Sequence, residues 1–421
     1  AGAAAVSSLV MACVAGADVR YAVLDLGEID ASSVCPCFFG VGLNAGGQAT
    51  GNFFNVAGDM HTFLWSDGTM VDIGTLGGES TVAQAMGARG SIVGFSDTPT
   101  SQHAFLFRNG AMTDLGTLGG MFSAARGVNA LDVVVGNAQR VPPEDYSHAF
   151  RWANGVMTDL GTLGGPFSDA LAVNDAGDVV GWAWNAAWDA HATYWAVDGA
   201  PPLDLGVIGA WTNHSAARDI NASGQIVGSS QTDEIPDGLP NGFPSTHAVL
   251  WENGVLSDLG LLPEAGHGVS IYGTLSHTST VATAINDAGV TVGNSTPPTS
   301  DVPPRHGPFI IESGGTMTNL NDLLLDEDAA TWNIVDVSDI NEAGEIVGSA
   351  RVIGGSNHSH AVVLIPVDVP DADLDDDGTV GASDLAALLA AWGPCAACAA
   401  DLDGDGTVGP ADLAILLGAW G

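Results

Sequence analysis

The sequence predicts an all-β fold: a seven-bladed β-propeller closed by an N-terminal strand, followed by a small α module that holds calcium. Three observations predict it. Three short signatures recur seven times in fixed order. The chain opens on one orphan strand, and its last repeat lacks one. Residues 371–421 carry a D-x-D-x-D-G-T loop twice.

At 421 residues the chain is long enough for one large domain and one small one. It carries 49 acids against 9 bases, all Arg, for a net charge of -40. That balance excludes nucleic acid as a partner, because neutralising phosphates takes clustered Lys and Arg. It likewise argues against an anionic membrane surface. Hydrophobic residues make up 46%, and 57 Gly point to many tight turns between short strands. No apolar run reaches the length of a membrane-spanning helix.

Residues 1–17 are small and apolar and end in Ala15-Gly16-Ala17. They read as a partial signal peptide cut after Ala17, which places the protein outside the cell or at its surface. Cys13 as a lipidated cysteine is the alternative, and Met11 fits it poorly. Four Cys then remain: Cys35, Cys37, Cys395 and Cys398. Cys35-Pro36-Cys37 has the wrong spacing for half a zinc site, so local disulfides are expected.

The first repeated signature is N-x-x-G-x-x-V-G, beginning at Asn44, Gly87 (in place of Asn), Asn129, Asn174, Asn221, Asn286 and Asn341. The second begins with His: His61, His103, His148, His191, His247, His306 and His360. The third is D-L-G, at Asp25, Asp72 (as D-I-G), Asp114, Asp159, Asp204 and Asp258, with Asn319 in a degenerate seventh copy. Each repeat reads as four strands. Strand A ends in the Asn, whose turn leads into strand B; strand C starts at the His; strand D carries D-L-G. Four strands in such a unit match a propeller blade. The orphan opening strand, 21–27, is of the D type, and the last repeat has only A, B and C. It can therefore complete the seventh blade and remove a free edge. The propeller is placed at 19–367. An open all-β array is the runner-up.

These motifs resemble the HAF-type extracellular repeat of secreted bacterial proteins. HAFRW at His148, followed by GVMTDLGTLGG, lies near the ideal form; His306-Gly307-Pro308 departs most. The resemblance implies secretion and no established enzymatic activity.

The A–B and C–D turns are short, whereas the B–C and D–A connections vary and share the opposite face. Aromatic residues decorate that face: Trp182, Trp184, Trp188, Trp211 and Tyr272. They are the candidate ligand face, fit for sugar rings or a protein partner, unless they merely plug gaps between blades. The repeated His and Asp read as structural, with each His bonding to backbone. No catalytic motif is found, and no catalytic residue is assigned.

Residues 368–372 read as a linker and 373–421 as a duplicated module with a 28-residue offset. Its oxygen ligands are those of two Ca²⁺ ions: Asp373, Asp375, Asp377, Thr379 and Asp384 in one loop, and Asp401, Asp403, Asp405, Thr407 and Asp412 in the other. The duplication resembles a type I dockerin, and Trp392-Gly393-Pro394-Cys395 resembles its Cys-containing planctomycete form. That resemblance implies a cohesin-like partner or cell-surface anchor, contacted at Ala382, Ser383, Pro410 and Ala411. The expected function is a secreted, non-catalytic binding or scaffold protein, with carbohydrate as a possible ligand. The alternative is a secreted carbohydrate-active enzyme, a glycosidase or polysaccharide lyase, working on the variable face.

Overall fold

A computed structural model describes residues 17–27, 38–141, 146–209, 214–233, 245–262, 279–296, 307–312, 314–355, 358–370, 372–374, 380–395, 398–403 and 405–420. The signal-like segment up to residue 16, with Cys13, lies outside them. So do Cys35, Cys37, Trp211, Tyr272, His306, Asp375, Asp377 and Thr379.

The chain divides into two units. One spans Val23–Ile365; the other contains Pro366–Gly421, and the start of the first strand groups with it. The first unit is almost wholly strand. Its strands fall into groups of four, each an antiparallel A-B-C-D meander. The first group is Phe38–Leu43, Ala49–Phe54, Met60–Ser66 and Thr69–Asp72. The fourth is Gly164–Val173, Val179–Asn185, Ala190–Trp195 and Leu203–Asp204. The fifth is Ser215–Ile220, Ile226–Gln231, Thr246–Glu252 and Val255–Gly260. The second and third are joined through one parallel pairing, Phe122 with Gln102. In the last group, Trp332–Ile340, Ile346–Val352 and His360–Pro370 are followed in the sheet by Ala17–Asp25. The propeller was placed to end at residue 367. The last of these three strands runs on to Pro370, into the segment read as linker, because it has Ala17–Asp25 alongside to pair with.

Five of the six turn Asn serve twice, while the Asn44 amide stays within its own turn on Gln48. The Asn221 side-chain oxygen accepts the N–H groups of Ser223 and Gln225, which closes the turn. Its amide donates to the Asn286 carbonyl in the next group. The same relay runs from Asn129 to Asn174, Asn174 to Asn221, Asn286 to Asn341 and Asn341 to Asn44. These Asn side chains are buried, so the relay satisfies polar groups that water cannot reach. Apolar cores form between consecutive groups. One joins Leu43, Phe53 and Phe63 of the first group to Val347, Ala361 and Val363 of the last, with Leu26 beside them.

The second unit packs helix Ala382–Ala390 against helix Pro410–Gly418 around Leu388, Leu402, Val408 and Leu416. Cys395 and Cys398 form the expected disulfide, with Cα atoms 5.8 Å apart.

Candidate ligand cleft and candidate metal loop

The repeated His residues were expected to bond to backbone; among the described residues His61 alone shows such a bond, through Nε2 to the Glu79 carbonyl. In six groups Nδ1 faces the D-L-G carboxylate of its own sheet: His61–Asp72 at 2.7 Å, His103–Asp114 at 2.9 Å, His148–Asp159 at 2.9 Å, His191–Asp204 at 2.8 Å, His247–Asp258 at 2.9 Å and His360–Asp25 at 3.1 Å. Antiparallel pairing of strands C and D brings the two side chains to one edge. Each Asp also accepts the N–H of the Gly two residues on, as Asp159 does from Gly161. That Gly has φ +75°, the left-handed conformation that favours glycine. Burial alone would raise the Asp159 pKa. The His148 hydrogen bond, the Gly161 N–H and the charges of His148 and Arg140 outweigh burial and hold it below the ordinary carboxylate value.

A cleft of about 330 Å³ opens between the fourth and fifth groups. It is lined by Trp182, Trp184, Ala190, His214, Ser215, Ala216, Ser229, Gln231 and Thr246. At its edge the repeat carries a substitution. At the place of Trp182, the first and sixth groups have Asn52 and Asn294. Each clamps the neighbouring strand A through its backbone: Asn52 on Ala83 and Asn294 on Val337. Asn137 in the third group donates instead to the Asp169 carboxylate. Trp182 cannot make the two-point clamp, and its indole borders open space.

An aromatic row leads away from the cleft. Trp184 meets Trp188 with ring centroids 5.5 Å apart and Phe167 at 5.1 Å; Phe167 meets Tyr146 at 5.1 Å. Trp188 is 60% exposed. By contrast, Trp195 and Trp251 are buried in the cores between groups and do plug gaps. Phe167, on strand A of the same group, and Tyr146, from the third group, could not be joined to the row in the sequence because they lie about 20 and 40 residues away from Trp184–Trp188. His214, which belongs to none of the three repeated signatures, lines the cleft.

In the second unit, Asp401, Asp403 and Asp405 bring carboxylate oxygens within 4.8 Å of one another. Asp401 Oδ2 accepts the Gly406 N–H, while its buried Oδ1 has no hydrogen-bond partner. Three converging carboxylates with one orphaned buried oxygen suit a hard cation. Asp412 is buried, and its oxygens accept N–H groups from Leu402, Asp403 and Gly409. Asp384 likewise accepts from Leu374 and Gly381. Through these N–H groups the two Asp residues, which the sequence offers as ligands, also tie the loop to the following helix. Thr407 is exposed beside the small strand pair it forms with Pro394. Asp373 precedes the part of its loop outside the described residues. Ala382, Ser383, Pro410 and Ala411 are exposed at the two helix starts. Leu389 and Trp392 in one half and Leu417 and Trp420 in the other are also exposed, and were readable from the 28-residue offset.

No family model and no curated protein matches the sequence. Among solved structures, TolB from Acinetobacter baumannii is similar at 11% identity and a TM-score of 0.39, over 72% of this chain and 63% of that one. This chain thus spans less than two thirds of that TolB. A puromycin-hydrolyzing peptidase from Mycobacterium tuberculosis reaches a TM-score of 0.42 at 10% identity, over 82% of this chain and 53% of that one. The β-propeller domain of the Trilobed protease from Pyrococcus furiosus gives 0.34 at 8% identity, over 80% and 85%. The likeness is one of mostly-β, propeller-like architecture. At such TM-scores it bears on neither blade number nor activity.

Proposed function

We propose that the chain is a secreted, non-catalytic binding protein. Its first unit is a seven-bladed propeller closed by the N-terminal strand. Its second is a calcium-dependent module that tethers it to a cohesin-like or cell-surface partner. One observation carries the reading: the repeated polar residues are committed to holding the sheets. Six His are paired with Asp, and the turn Asn residues are linked from group to group. What the variable face leaves open is aromatic. The relay from Asn341 back to Asn44, and His360 taking its Asp from the opening strand, support a closed ring.

Asp401, Asp403 and Asp405, with Asp373, Asp375 and Asp377 in the other loop, would hold the calcium, which supplies charge compensation and crosslinks each loop. Calorimetric titration should count two Ca²⁺ ions, and Asp375→Ala with Asp403→Ala should abolish their uptake. Chelator should unfold the second unit and leave the first unit's melting transition in place, since metal binding and folding are coupled in such modules. Reducing-sugar assays on plant and bacterial polysaccharides should show no release. Uptake unchanged by the double substitution defeats the calcium assignment, and release of reducing ends defeats the non-catalytic one.

A further inference from the structure

We infer that the cleft between the fourth and fifth groups binds a neutral oligosaccharide; this rests on the reading of the aromatic face as a binding face. Among the described residues the lining pairs two indoles with short polar side chains and holds no Asp, Glu or Arg. In a chain of net charge -40, that makes an uncharged island. Among the described residues a hard cation would find no carboxylate there, and an acidic glycan would meet the repulsion of the surrounding protein. A neutral ligand meets neither obstacle.

The polar groups distinguish a sugar from an apolar peptide. Among the described residues, the side chains of Ser229, Gln231 and Thr246 make no hydrogen bond, and neither do the indole N–H groups of Trp182 and Trp184. Covering them with an apolar side chain would leave several buried groups unsatisfied, at a cost for each. A pyranose answers both parts of the lining. Its C–H face packs on indole, and its hydroxyls take up the amide, hydroxyl and indole N–H groups. His214 adds a donor: its Nδ1 accepts the Ala190 N–H at 3.3 Å, which leaves the proton on Nε2. The row Trp188, Trp184, Phe167 and Tyr146 continues the aromatic surface beyond the cleft, which suits a chain of sugars rather than one.

The test uses the full chain with calcium present. Cellohexaose, xylohexaose and mannohexaose are the neutral probes, and a galacturonic acid hexamer is the acidic one. At least one neutral probe should bind by calorimetry and shift the tryptophan fluorescence, while the acidic one should not bind. Trp184→Ala should weaken binding about tenfold or more, and Gln231→Ala should weaken it measurably. Both variants should melt like the parent, because neither side chain lies in a core between groups. Failure of all three neutral probes at millimolar concentration overturns the inference. So does undiminished binding by Trp184→Ala, or equal binding of the acidic hexamer. A peptide or protein bound through Trp184 in place of sugar would overturn the sugar assignment and leave the binding reading standing. Cleavage of a bound probe would do the reverse.

Discussion

Asp219 and Asp339 do the same work in two different strands. Each sits two residues before its turn Asn. Asp219 accepts the N–H groups of its neighbour Ile220 and of Ile285 in the next group; Asp339 accepts those of Ile340 and Leu43. Enclosure of the carboxylate, together with the Asp219 charge, pushes the Asp339 pKa up to about 7. Burial raises Asp219 to about 6 against its two backbone hydrogen bonds. An acid whose pKa is higher in the folded state takes up protons on folding. Its contribution to stability is therefore present at low pH and is lost as pH rises from about 4 to about 7. Asp339→Asn should flatten the decline in melting temperature over that interval, as followed by circular dichroism. An unchanged slope would mean that Asp339 titrates normally. The repeat made the His, Asp and Asn positions plain in the sequence. Asp219 and Asp339 were not visible there, because only two groups carry an acid at that place and their partners come from other groups.

At the scale of the strand, one irregularity recurs in every group. Strand A slips register against strand B about three residues before the turn, as between Ala125 and Gly127 or Ala170 and Ala172. Such a bulge drives a strand A carbonyl against the Gly that ends the N-x-x-G-x-x-V-G signature. A Cβ on Gly136 would collide with the Ala124 carbonyl, and one on Gly181 with that of Asp169. The final Gly of the signature is thus there for close approach, whereas the middle Gly serves the turn. Gly136→Ala should cost about 2 kcal/mol or more in chemical denaturation. Gly155→Asn should cost little, because that open turn position has φ +83° and Asn tolerates it. Equal losses would remove the bulge as the reason for the glycine. The sequence displayed the Gly without its reason, since a bulge depends on how two strands meet.

For the whole molecule, the decisive contacts join distant parts of the chain. Ala17–Asp25 lies beside His360–Pro370, and Asp25 faces His360. Deleting residues 17–27 should expose that edge, lower the melting temperature of the first unit and promote aggregation, as read by calorimetry and light scattering. An unchanged transition temperature after the deletion would mean that the Asn relay and the shared core hold the first unit without that strand. The repeat number, the strand order within each repeat and the acidic loops were all legible in the chain itself, because turn chemistry, two-residue alternation and oxygen ligation are local properties. Which groups face one another was not. The His–Asp pairs, the Asn relay and the cleft beside Trp182 arise only when strands far apart in sequence share an edge or a seam. Their partners are set by packing in space, which no local pattern encodes.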